Sequence, residues 1–161
     1  MEPLADVISL LRPRAVGTKV IQGAGRWAVR HSRVAYAGFG LVLAGECWLT
    51  VDGHETLRLG TGDFILRPAS RAFTTASDLS CEVVSVDAQQ ALACRAGQIR
   101  YGDPDLEVEF RQLGGYFELD SVNRSLLGGL LPTLVHIQAS DPAAGRLKRT
   151  IDLIVEEALA D

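Results

Sequence analysis

Short apolar segments separated by turn residues fill the chain between residues 19 and 88. They read KVIQG, RWAVRH, FGLVLAG, CWLTVDG, ETLRLG, DFILRP and CEVVSVDA, each rich in Val, Leu, Ile or aromatics. Gly23-Ala24-Gly25, Asp52-Gly53, Gly60-Thr61-Gly62 and Pro68-Ala69-Ser70 punctuate them. Many short strands with no helix between them predict a mainly β domain, an antiparallel barrel or sandwich. Asp52-Gly53 is the clearest hairpin signal, because Asp-Gly suits the positive-φ positions of a tight turn. Alternation puts Cys47, Leu49 and Val51 on one face of the strand before it and Trp48 and Thr50 on the other. Leu49, Val51, Leu57 and Leu59 are expected to point inward.

The period changes at both ends. Leu4, Val7, Ile8 and Leu11 fall at helical spacing, and Pro13 stops the run. QQALACRAG reads as a helical turn or an insertion, and LEVEFRQLGGYFELD as one or two strands split at Gly114-Gly115. Beyond Ser121 the pattern turns helical, with Leu126, Leu127, Leu130 and Leu131 at helical spacing up to Pro132. The strongest helix runs from Asp141 to Asp161. Asp141 can cap it, Pro142 suits its first position, and Leu147, Ile151, Ile154, Val155 and Leu159 form an apolar stripe.

The 161 residues are 47% hydrophobic and 22% charged, which fits one folded domain with a sizeable core. The net charge of −4 lacks the basic surplus that phosphate binding demands, so neither nucleic acid nor an anionic membrane surface is an expected direct partner. No apolar run is long enough to span a bilayer, and MEPLADVISLLRPR has no signal-peptide h-region. The expected compartment is the cytoplasm. Cys47, Cys81 and Cys94 show no zinc spacing; they read as reduced packing residues or, for Cys81 and Cys94, as a redox-sensing pair.

Four stretches in order carry a family resemblance: PLADVISLLRPR, GECWLTVDG, LRLGTGDFILRPAS, and LLGGLLPTLVHI with the amphipathic helix after it. Together they resemble the N-terminal cupin-like domain of AraC-type transcriptional regulators. The resemblance implies a cupin-like antiparallel β-barrel, a double-stranded β-helix or jelly roll, over 1–120, with a C-terminal helical segment for dimerisation or linkage over 121–161. In that family two helix-turn-helix subdomains follow and bind DNA. They are absent here, so the resemblance implies a sensor and dimerisation half whose DNA contacts are made elsewhere.

Metal-binding cupins carry two histidines one residue apart and a glutamate on an early strand, then a third histidine after the Gly-Asp…Pro turn. Here YAGFGLVLAGECWLTV holds only Glu46 as a ligand type, and Phe73 stands where the third histidine would fall. A phenyl ring cannot ligate, so no metal and no cofactor are expected. His31, His54 and His136 are scattered, and no G-x-S-x-G elbow exists. GAGRWAV lacks the third glycine of a phosphate loop and reads as a strand connection.

The expected function is therefore ligand sensing and dimerisation without catalysis. The expected partners are a small-molecule effector and a second copy of the chain. Trp27, Phe39, Leu41, Trp48, Phe64 and Phe73 are the candidate pocket lining, with Arg67 or Arg71 as a carboxylate clamp. The candidate dimer face is the stripe from Leu147 to Leu159. A metal-dependent cupin enzyme, a cysteine-based redox sensor and a plain dimer scaffold are the competing readings.

Overall fold

The computed structural model describes residues 14–93, 97–118, 125 and 131–160. Eleven strands and two helices follow in order: β1 (Arg14–Ala24), β2 (Ala28–His31), β3 (Ala37–Ala44), β4 (Cys47–Val51), β5 (Leu57–Leu59), β6 (Phe64–Arg67), β7 (Phe73–Ala76), β8 (Val84–Val86), α1 (Ala88–Ala93), β9 (Gln98–Gly102), β10 (Phe110–Glu118), β11 (Val135–Ile137) and α2 (Pro142–Ala160). The expected helix at Leu4–Leu11 lies outside the described residues, as do Cys94 and Leu126–Leu130.

The strands form two sheets, ordered β11-β6-β3-β10-β1-β9 and β5-β4-β7-β2-β8. The mainly β, cupin-type architecture matches the expectation. In detail the strands pair as two facing sheets, with no single closed ladder among the described residues. Two pairings, β1 with β9 and β2 with β8, are parallel. Both join strands distant in sequence, and α1 carries the chain from one sheet to the other between β8 and β9. Only such long connections permit parallel neighbours.

The six-stranded sheet is buried on both faces at its centre, along β3 and β6. Phe39, Leu41, Phe64, Leu66, Phe117, Val135 and Ile137 project from one face and pack beneath Ala143, Ala144 and Leu147 of α2. The other face meets the second sheet, where Val42 and Ile65 pack with Val29, Leu49, Val51, Leu59 and Phe73. Leu49, Val51 and Leu59 thus lie in the inner core, with Leu57 partly buried against it.

The Asp52-Gly53 hairpin forms, with Gly53 at φ 86° and the His54 N–H donating to the Val51 carbonyl at 2.9 Å. β10 runs unbroken through Gly114-Gly115 and pairs β3 and β1 on its two sides. A Cβ at Gly115 would stand 2.5 Å from the Gly17 carbonyl oxygen and 2.8 Å from the Phe39 ring, so glycine allows close packing there and does not end the strand.

The segment over 121–161 read as helical also contains β11, which extends the large sheet beside β6. Asp141 caps α2, its Oδ1 accepting the Ala143 N–H at 2.9 Å. Asp63 ties this region to the β5–β6 turn. Its carboxylate accepts the Gly60 N–H at 3.1 Å and the Ala139 N–H at 2.8 Å, and pairs with His136 Nε2 at 3.1 Å. Burial would raise its pKa, but these donors outweigh burial and hold the carboxyl below its usual range.

Candidate functional site: a cavity between the sheets

A cavity of about 70 Å³ lies between the two sheets. Its wall on the large sheet comes from alternate positions of β1, β3, β6 and β10: Lys19 and Ile21, Gly40, Ile65 and Arg67, Gln112 and Tyr116. The facing wall is His31 on β2, Leu49 on β4, and Phe73 and Thr75 on β7. Ala88 and Ala91 of α1 and Ile99 of β9 complete the lining. Strand glycines make the room. A Cβ at Gly40 would stand 2.2 Å from Gln112 Nε2, and one at Gly38 would stand 2.7 Å from Arg67 Nη2. Without side chains at these positions, two long polar groups fold inside the sheet pair.

Arg67 is the unusual member. It is only 6% exposed, and its Nη1 has no hydrogen-bond partner among the described residues. Its Cζ lies 3.9 Å from the Phe73 ring centroid and 5.6 Å from that of Tyr116. Burial pushes its pKa down and the Tyr116 phenol opposes the shift; no carboxylate among the described residues pairs with it. Arginine still keeps its proton. The cavity therefore holds a fixed positive charge without a counter-ion among the described residues, stabilised by the Phe73 and Tyr116 rings and by the Tyr116 phenol.

His31 stacks on Phe73 with centroids 4.7 Å apart and meets Tyr101 edge-on at 6.4 Å. Burial, reinforced by the Arg67 charge, lowers its pKa to about 4. At neutral pH it is an uncharged imidazole, able to donate one hydrogen bond and accept another.

The residues present do not suit a metal. Phe73 occupies the position where the family resemblance places a histidine, and His31 lies flat against it. His54 sits at the β4–β5 hairpin against Thr133 Oγ1, and His136 belongs to Asp63. Among the described residues no three His, Cys, Asp or Glu side chains come together. The thiols offer little more. Burial drives Cys47 up to about 12, so it stays protonated; Cys81 is half-buried beside Ser77 Oγ at 3.7 Å.

The cavity has the two sheets of a cupin and none of its imidazole ligands, and the sequence match agrees with the architecture. The chain matches the cupin family over residues 2–161. It belongs to that family. This cupin is 34% identical, over 98% of its length, to an AraC-like transcription regulator of Streptomyces lividans, and equally so to one of Streptomyces antibioticus. It spans about half the length of these relatives, 51% of each. Among solved structures it is similar to ToxT from Vibrio cholerae O395, with 13% identity, a TM-score of 0.49, and coverage of 87% of this chain and 46% of that one.

Of the residues expected to line a pocket, Phe39, Arg67 and Phe73 border this cavity. Leu41 and Phe64 do not; they face the opposite side of the sheet in the cluster beneath α2, to which Phe39 also belongs. Trp27 lies in the inner core beyond the cavity, against Phe110 and Tyr101 at 5.3 and 6.3 Å. Trp48 is half-buried on the outer face of the small sheet, with Arg58 over its ring at 4.9 Å. Arg71 is exposed near the Asp52-Gly53 turn. Leu147 is buried in the chain's own core; the side chains of Ile151, Ile154, Val155 and Leu159 lie outside the described residues.

His31, Lys19, Gln112 and Tyr116 were absent from the sequence expectation. A signal existed for two of them. Gly38-x-Gly40 and Gly114-Gly115 stand at adjacent register positions on β3 and β10, where Gln112 and Tyr116 lie two residues from a glycine and share the cavity wall.

Proposed function

We propose that this cupin domain is the ligand-sensing and dimerisation part of an AraC-type transcriptional regulator. It works in the cytoplasm and has no catalysis of its own. DNA is contacted through a part of the regulator outside these residues. The observation that carries the reading is the cavity: small barrels are largely filled by their own side chains, whereas glycines here keep space beside a buried guanidinium. The AraC-like relatives supply the regulatory context.

An effector acts only through differential affinity for two arrangements of the protein. Phe39 gives that coupling a physical site. It borders the cavity, stacks on Phe117 at 4.7 Å and belongs to the cluster beneath α2. A ligand that shifts Phe39 changes the surface on which α2 rests. Dimerisation through α2 then relays the change to the second copy. Leu153 on this helix is 62% exposed and offers part of such a face.

The test is the melting temperature of the chain across a panel of metabolites and divalent metals, with elemental analysis of the same sample. Stabilisation by an organic compound supports the sensor. Stoichiometric metal would return a cupin enzyme to first place. Sedimentation velocity at micromolar concentration tests the dimer, and a monomer there refutes that half of the proposal.

A further inference from the structure

We infer that the effector is a compact organic carboxylate, its carboxyl group held by Arg67 and its apolar body lying against Phe73 and Ile65. The inference rests on the sensor reading above and names the chemistry of its ligand.

Charge is the first argument. Arg67 is a buried guanidinium whose Nη1 donor has no partner among the described residues. An unpaired buried ion is costly, and an anion brought into the cavity removes that cost. Among the described residues the cavity lining contains Lys19 and Arg67 but no Asp or Glu, so no carboxylate in that wall repels an anion. Neutral His31 and Gln112 add hydrogen-bonding capacity without negative charge.

Shape is the second. The guanidinium fork matches a carboxylate in two parallel hydrogen bonds. Around it stand Phe73, Ile65, Leu49, Ile21 and Ile99, which reward an apolar body and leave a bare inorganic anion poorly solvated. Size is the third. A volume of about 70 Å³ holds roughly five to seven water-sized groups. A short chain bearing a carboxyl fits, a single ring bearing one tests the upper limit, and a nucleotide or a long acyl chain does not fit. Arg71, the other arginine expected as a carboxylate clamp, is exposed and does not line the cavity.

The experiment is calorimetric titration and thermal shift of the whole chain with butyrate, hexanoate, benzoate and phenylacetate. Benzyl alcohol serves as the uncharged counterpart and sulfate as the bodiless anion. At least one carboxylate should bind at one site per chain, with benzyl alcohol and sulfate at least tenfold weaker. Arg67→Met should weaken that carboxylate on the order of 100-fold, the usual effect of losing a buried charge partner, and Arg67→Lys should lose less. Gly40→Ala, which adds a methyl group inside the cavity without altering charge, should also abolish binding and decides the matter if Arg67→Met does not fold. Equal binding of benzyl alcohol, or undiminished carboxylate binding by Arg67→Met, overturns the inference while leaving a sensor. Sulfate binding as tightly as the acids overturns the organic body. If neither these acids nor any compound of the wider metabolite panel binds, the sensor reading falls as well.

Discussion

Acidification should destabilise this domain through His31, in a pH range where few other groups contribute. The folded imidazole titrates at about 4 and the unfolded one at about 6.5. A base whose pKa is depressed on folding binds its proton more readily in the unfolded state. Stability is therefore intact above pH 6.5 and falls as pH drops toward 4. The full loss is about 3.5 kcal/mol, from 2.5 pH units at about 1.4 kcal/mol each, and between pH 8 and pH 5 the linkage integral gives about 2 kcal/mol. Among the described residues, the charged and titratable groups that touch the imidazole or share its cavity are Arg67, Lys19, Tyr101 and Tyr116, and none is a carboxylate that could pair with the new positive charge. Asp63, also depressed, loses its contribution only below the usual carboxylate value of 3.8. The assay is urea unfolding at pH 8, 6.5 and 5 for the wild type and for His31→Phe, which keeps a flat ring against Phe73. The wild type should lose about 2 kcal/mol more than the variant over that range. Parallel losses in the two proteins would show that His31 is solvated or paired when protonated, and would refute the buried, neutral imidazole.

Arg67→Met should leave the ligand-free melting temperature unchanged or raise it, because replacing an unpaired buried charge by a residue of similar length is neutral or favourable; a fall of more than about 2 kcal/mol in urea unfolding would mark Arg67 as structural. Gly115→Ala should cost about 1–3 kcal/mol, since its methyl group meets the Gly17 carbonyl at 2.5 Å, whereas Gly60→Ala, with nothing within 4 Å, should change stability by less than about 1 kcal/mol. Asp63→Asn should cost about 1–3 kcal/mol at pH 7 by loss of the charged acceptor shared by Gly60, Ala139 and His136, and should flatten the stability curve below pH 4. Cys47, with its thiol near pKa 12, should resist alkylation at pH 8 in the folded chain while Cys81 reacts, as peptide mass mapping would show.

What could be read from the sequence was what is local. The Asp52-Gly53 turn and the Asp141-Pro142 start of α2 are set by a few adjacent residues, so their chemistry is visible in the chain. The faces of β6 were not. Phe64, Ile65, Leu66 and Arg67 are all buried, because α2 covers one side of the sheet and the second sheet covers the other. Alternation then carries no inside-or-outside label, and an aromatic at Phe64 reads like a pocket residue while facing the helix. The informative residue was the charged one at the end of that apolar run. Arg67 can stay inside only because Gly38 faces it across the sheet, a pairing that registers of distant strands create and a linear pattern cannot display. Position 73 completes the logic. A histidine there could help hold a cation supplied from solution. Phe73 instead presents its ring to a cation that belongs to the chain itself. The cavity keeps a positive centre and gives up Lewis-acid chemistry. A buried cation of this kind is the feature on which the proposed anion binding rests.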